Sequence, residues 1–289
     1  MKATSFAPGH ISGFFEPIYQ VKDADRSGSR GSGINISLGA VSQVTVKSSP
    51  MQNVDILINN KRSKAPVTDL AIKNLIGDAK LNINVNTKLD LPISQGFGMS
   101  GAGALSATMA LAKLLKLSRE QTIKASHRAE VQLRTGLSDV IASSFGGIEI
   151  RREAGLPPWG MIEHIPGKYE LVLCIIGKSI DTREILSNSA KVNEIASHGR
   201  YCIKKILERP SIENLFSLSQ RFTAETRLAE KEVMEAIETA NLYGMASMCM
   251  LGNSVFAVGD TESLCNTLST FGKVFICTVD EYGARILEG

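Results

Sequence analysis

Residues 92 to 103 read PISQGFGMSGAG, with glycines at 96, 98, 101 and 103 and one hydroxyl among the last eight positions, Ser100. A loop so nearly all backbone must bind through backbone. Glycines let the chain approach an anion closely, successive N–H groups point at it, and the dipole of a following helix favours negative charge. A helix does follow, because Leu105, Met109, Ala112 and Leu115 recur at steps of three and four. The chemistry implied is phosphate binding without a loop lysine, amides and a metal ion sharing the neutralisation. Ser100, at the helix entry, is placed to offer its hydroxyl to a hard cation bridging phosphates.

Other readings of the loop fit less well. Gly96, Gly98 and Gly101 satisfy G-x-G-x-x-G, but LDLPIS separates them from the preceding strand, and a second helix follows where a dinucleotide fold needs a strand. No Lys-Ser or Lys-Thr pair completes a Walker loop, and Ala102 stands where a serine-hydrolase elbow needs glycine. A tight helix entry whose glycines serve only packing stays open.

Phosphoryl transfer is mostly positioning and charge stabilisation, so it asks for a phosphate cradle, a magnesium ion, a proton acceptor and an anchor for the acceptor molecule. The elements downstream of the loop offer candidates. A second helix is predicted from about Ser118, a good N-cap, with Glu120 and Gln121 in its first turn. Ala125, Ala129 and Leu133 form a small apolar stripe on it, while Ile123, His127, Glu130 and Arg134 cluster on the other side, so one face packs and the other presents titratable groups. A short helix begins near Ser138 with Asp139 in its first turn, followed by a strand ending at Arg151. By themselves Glu130 reads as a solvated helix face, Asp139 as a carboxylate favouring the helix dipole, and Arg151 as a surface strand end.

The remaining chain supplies strands and a boundary. DADRSGSRGSG is too polar and glycine-rich to pack and is predicted to be a loop, of the kind that closes over ligands. NISLGAVSQVTVKS, VDILIN and LNINVNTKL read as strands, the last half-buried with Leu81, Ile83 and Val85 alternating with asparagines. GLPPWG is the expected boundary, giving domains at 1–155 and 156–289, the second with the strand and helix mixture of an α+β domain. At 289 residues, 43% hydrophobic and 21% charged, the chain can bury a sizeable core, which excludes disorder. Its net charge of +3 is dispersed, so no nucleic-acid patch is expected. Five cysteines without metal-ligand spacing read as reduced thiols, and no apolar run reaches the roughly 18 residues of a membrane span, so neither signal peptide nor anchor is expected and the location is cytoplasmic.

The loop PISQGFGMSGA resembles the P-x-x-x-G-L-G-S-S-A-A motif of the GHMP kinases, the superfamily of galactokinase, homoserine kinase and mevalonate kinase. Two more motifs lie in the expected order, FAPGHISGFFEP near the start and MLGNSVFAVGD near the end. Within the superfamily, FAPGHISGFFEP, GSRGSGIN, SHRAE and TGLSDVIASSFGGIEIR resemble the archaeal pantoate kinases. The resemblance implies an α+β GHMP kinase fold of two domains with the active site in the cleft between them. ATP would then lie against Pro92, Gly96, Gly98, Met99, Ser100, Gly101, Ala102 and Gly103, with Mg2+ on Ser100 and Glu130. It makes Asp139 the base toward the substrate hydroxyl, and Ser29, His127 and Arg151 the pocket for the acid pantoate, Ser27 and Ser32 being substitutes for Ser29. A homodimer fits the family, with no nucleic-acid or membrane partner. The chain departs from the superfamily pattern at His10, where a basic residue usually follows A-P-G, at Phe15-Glu16-Pro17 in place of Gly-Glu-His, and at Met99, where the first loop serine usually stands.

Overall fold

A computed structural model describes residues 1–20, 22–180 and 182–289. Two sheets organise it. The first has the order β12-β1-β2-β5-β3-β4, with β6 joined to β2 and β7 joined to β6. It is built on β1 (Lys2–Ile18) and β2 (Gly28–Ser48), which pair antiparallel along almost their whole length. The early half of β2 also pairs β6 (Ile148–Glu153), and its later half pairs β5 (Leu81–Leu89). β3 (Asn53–Ile58) runs parallel to β5, and β4 (Lys61–Arg62) closes the edge. The second sheet has the order β11-β8-β10-β9, from β8 (Glu170–Ile175), β9 (Gly244–Met248), β10 (Ser254–Gly259) and β11 (Lys273–Thr278).

Helices α1 (Pro66–Ile76), α2 (Met99–Leu115) and α3 (Arg119–Leu133) pack together on the first sheet, and α6 (Ser189–Glu208) and α7 (Ile212–Thr226) pack against β1 from the second half. Local sequence accounts for much of this. In β5, Ile83, Val85, Thr87 and Leu89 turn inward while Asn84, Asn86 and Lys88 face solvent, the period-2 pattern of a half-buried strand. Ser118 caps α3 and Gln121 answers it in a complete capping box. Where α1, α2 and α3 meet, the small Val67, Ala71, Ala104 and Ala129 fill the centre with Leu70 and Leu133 packed at its side, so the predicted stripe of Ala129 and Leu133 lets the three helices approach closely.

Several expectations change. The glycine-rich 28–33 segment is not a loop: it is the start of β2, buried between β1 and β6. α2 is buried all round from Gly101 to Ala112 rather than along one face, because α1, α3, β1 and β2 enclose it. The titratable side of α3 is buried too, with His127 and Glu130 both inside. β6 runs on past Arg151 to Glu153. The Pro157–Pro158 turn joins β6 to β7 (Met161–Ile165) within the first sheet, and β12 (Arg285–Glu288) brings the C-terminal end back to β1. All five cysteines are free, and burial pushes the Cys174, Cys202 and Cys277 thiols up to about 12. Among the described residues no helix is long and apolar enough to cross a membrane.

Candidate active site

A cleft of about 560 Å³ opens between the glycine loop and the second half of the chain. Gly96, Gly98, Met99, Ser100 and Gly103 form one wall, Thr135 to Asp139 another, and Ser179, Ile180, Met250 and Leu251 face them. Gly98 is the N-cap of α2 in the left-handed region, at φ 62°, and no side chain caps the helix. The first N–H groups of a 17-residue helix are therefore turned toward the cleft without a side-chain partner. The loop glycines do different jobs. A Cβ on Gly98 would stand 3.0 Å from the His10 carbonyl oxygen, and one on Gly101 would stand 3.2 Å from Asp139 Cβ and 3.4 Å from Glu130 Oε2. Gly101 thus brings the carboxylates of α3 and α4 (Asp139–Phe145) against the first turn of α2.

Behind the cleft, a chain of buried charged groups crosses β2. His10 of β1 places Nδ1 2.8 Å from Asp139 Oδ1 and Nε2 2.9 Å from Glu149 Oε1. Arg151 of β6 pairs with Glu149 Oε1, lies 3.1 Å from His10 Nε2, and donates from Nη2 to Ser12 Oγ at 3.1 Å. Burial pulls the His10 pKa down, and the Arg151 charge acts the same way, but the hydrogen bonds to Asp139 and Glu149 prevail and raise it above the usual histidine value. The partners sit on β1 and β6, with β2 between them, so β2 can carry no side chain there. A Cβ on Gly31 would stand 2.8 Å from Arg151 Nη2, and one on Gly33 would stand 2.6 Å from His10 Nε2 and 2.9 Å from Glu149 Oε1; each would come closer still to a β1 carbonyl oxygen, that of Phe14 or of Ile11. The glycine spacing of two in GSRGSG is the period of a strand face cleared for this contact. Gly33→Ala is accordingly expected to lower stability by about 1–3 kcal/mol through overpacking. Denaturant unfolding checks this, and an unchanged midpoint would mean that β2 has room for a side chain at Gly33.

Glu130 is buried, with Oε1 3.1 Å from His127 Nδ1 and Oε2 accepting from the Val140 N–H at 3.3 Å. Burial, and then the neighbouring Asp139 charge, push its carboxyl above the usual range against the opposing pull of His127. His127 donates from Nε2 to the Ser27 carbonyl at 3.0 Å, so both its nitrogens are engaged inside the protein. The donor set suits magnesium. Two carboxylates adjoin at an uncapped helix N-terminus whose second residue is Ser100, and among the described residues no cluster of three or more His, Cys, Asp or Glu could hold a metal alone. Magnesium characteristically takes one or two protein carboxylates and completes its shell with water and substrate phosphates.

The structure sorts the residues that sequence singled out. Asp139, Ser100 and Ser29 line the cleft, with Gly96, Gly98, Met99 and Gly103; Pro92, Gly101, Ala102, Glu130, His127 and Arg151 do not. Ser29 stands alone among the three weighed serines, because the Ser27 hydroxyl donates to Asp23 O and the Ser32 hydroxyl to Glu149 O. Arg151 is no surface strand end: it is 1% exposed and reaches the cleft only by way of Ser12, which lines it. Sequence reading missed Glu149 and Ser12 and met His10 only as a departure from a motif. The signal was present in H-x-S and E-x-R, since residues two apart on a strand share a face.

Comparison with known proteins places this geometry. The description "GHMP kinases N terminal domain" matches residues 66–147, which hold the loop, α2, α3 and α4. The pantoate kinase of Methanocaldococcus jannaschii is 32% identical over 95% of this chain and 99% of its own. A solved structure described as a phosphotransferase related to the CoA biosynthesis pathway superposes with a TM-score of 0.89 at 25% identity, covering 99% of both chains. The homoserine kinase of Cytophaga hutchinsonii shares the fold, with a TM-score of 0.71 at 15% identity over 99% of this chain and 97% of that one. An uncapped glycine-loop helix, a carboxylate at the cleft and full-length similarity coincide in one chain, which belongs to the GHMP kinases and, among them, to the pantoate kinase family.

Proposed function

We propose that the protein transfers the γ-phosphoryl group of ATP to a hydroxyl of pantoate, giving 4-phosphopantoate for coenzyme A synthesis. The observation that carries this is Asp139, held by His10 at the cleft wall beside the open N-terminus of α2, in a chain similar to pantoate kinases along its full length. The first-turn amides of α2 and the backbone of Gly96 and Gly98 cradle the ATP phosphates. Ser100 and Glu130 would hold Mg2+, which when bound would supply positive charge to the phosphates. Asp139 Oδ2 accepts the proton of the attacking hydroxyl while Oδ1 stays on His10. Ser29 lines the acceptor end; His127 keeps Glu130 turned toward α2 and Arg151 gives the acid end of the pocket its positive charge. The ATP-binding domain, 1–155, and the second domain, 156–289, form the two sides of the cleft, β7 and β12 being lent back to the first sheet.

Coupled ADP release over pantoate, shikimate, homoserine and mevalonate tests the acceptor, and turnover of one of the other three without pantoate would refute the reading. Glu130→Gln keeps size and removes a charged ligand. Its apparent requirement for Mg2+ is expected to rise about tenfold or more, with activity partly restored at high Mg2+. A magnesium titration of the initial rate reads this, and a curve superposing on wild type would remove Glu130 from the metal site.

A further inference from the structure

Arg151 has charge for an acid but no surface in the cleft, and Ser12 stands between the two. Ser12 Oγ accepts from Arg151 Nη2 at 3.1 Å, which occupies a lone pair and leaves the hydroxyl proton to be given elsewhere. Among the described residues no group accepts that proton, and this 8% exposed residue lines the cleft. The position is built. The pairing of β1 with β2 slips between Ser12 and Phe14, a bulge of the kind that re-aims side chains next to active sites. The Met250 N–H donates to the Ser12 carbonyl at 3.0 Å, tying this point of β1 to the opposite side of the cleft.

We propose that Ser12 is the residue that binds the carboxylate of the acceptor, donating its O–H to it while Arg151 behind it holds and polarises the hydroxyl. A hydroxyl that accepts from a cation is a stronger donor, so the pocket selects an acid without exposing a guanidinium. His10, two residues earlier on the same strand face, holds Asp139. Two strand residues span roughly 6.8 Å, the scale of a short hydroxy acid held by its carboxylate at Ser12 and by its reacting hydroxyl at Asp139. The proposal deepens the acid-kinase reading and rests on it.

The test compares wild type, Ser12→Ala and Ser12→Thr for KM and kcat toward pantoate and ATP, with pantoate amide as a neutral competitor. Losing a hydrogen bond to a charged group is expected to raise the pantoate KM about tenfold or more in Ser12→Ala, with the ATP KM unchanged and the amide, whose carbonyl accepts a weaker bond, losing much less. Ser12→Thr, which keeps the hydroxyl, is expected to recover most of the loss. If Ser12→Ala is poorly folded, Ser12→Thr and the wild-type preference for acid over amide carry the comparison. A wild-type pantoate KM in Ser12→Ala, or equal wild-type affinity for acid and amide, overturns the proposal. Failure of the acid-kinase reading looks different: wild type then turns over a neutral acceptor and ignores pantoate, and Ser12 falls with it.

Discussion

Asp139→Asn is expected to lower kcat by about 10²-fold or more while leaving the ATP KM and folding near wild type. The substitution isolates charge from shape. An asparagine side-chain oxygen can still accept from His10 Nδ1, which Asp139 Oδ1 meets at 2.8 Å, so the cleft wall keeps its geometry. What is lost is the carboxylate proposed to take the proton of the attacking hydroxyl. Steady-state kinetics with both substrates varied, together with a thermal melt, separate these effects. Turnover at the wild-type rate would leave Asp139 as a first-turn carboxylate of α4 and nothing more.

Arg151→Ala is expected to destabilise the whole protein by about 3–5 kcal/mol, the usual result of removing one partner of a buried ion pair. Glu149 is fully buried, and its Oε2 already has no hydrogen-bond partner. Without the guanidinium its charge would rest on His10 alone. A loss of this size corresponds to a fall in Tm of roughly 10 °C in a chain of this length. Combining Arg151→Met with Glu149→Gln should recover much of the loss, because no uncompensated charge then remains inside. Differential scanning calorimetry of the single and double variants reads this. A wild-type Tm for Arg151→Ala, with only the pantoate KM altered, would instead make Arg151 a direct ligand of the acid.

The local sequence determined the elements whose signals are local. The capping box at Ser118, the alternation of Ile83, Val85, Thr87 and Leu89, and the glycines before α2 each state their structure within a few residues, because capping, strand period and backbone freedom are short-range effects. The glycine loop that opens α2 and the start of α4 at Asp139 were legible for the same reason. The glycines of GSRGSG were not, since glycine that frees a loop and glycine that clears a strand face look alike until the neighbours are known. Only pairing of β2 with both β1 and β6 shows that Gly31 and Gly33 make room for Arg151, Glu149 and His10, which come together from positions up to 141 residues apart. Burial of Glu130, His127 and Arg151 was likewise decided by tertiary structure. Helical or strand spacing says which residues share a face but not what covers it; here α2 and α4 pack on α3, Ser27 meets His127, and β1 and β2 flank Arg151.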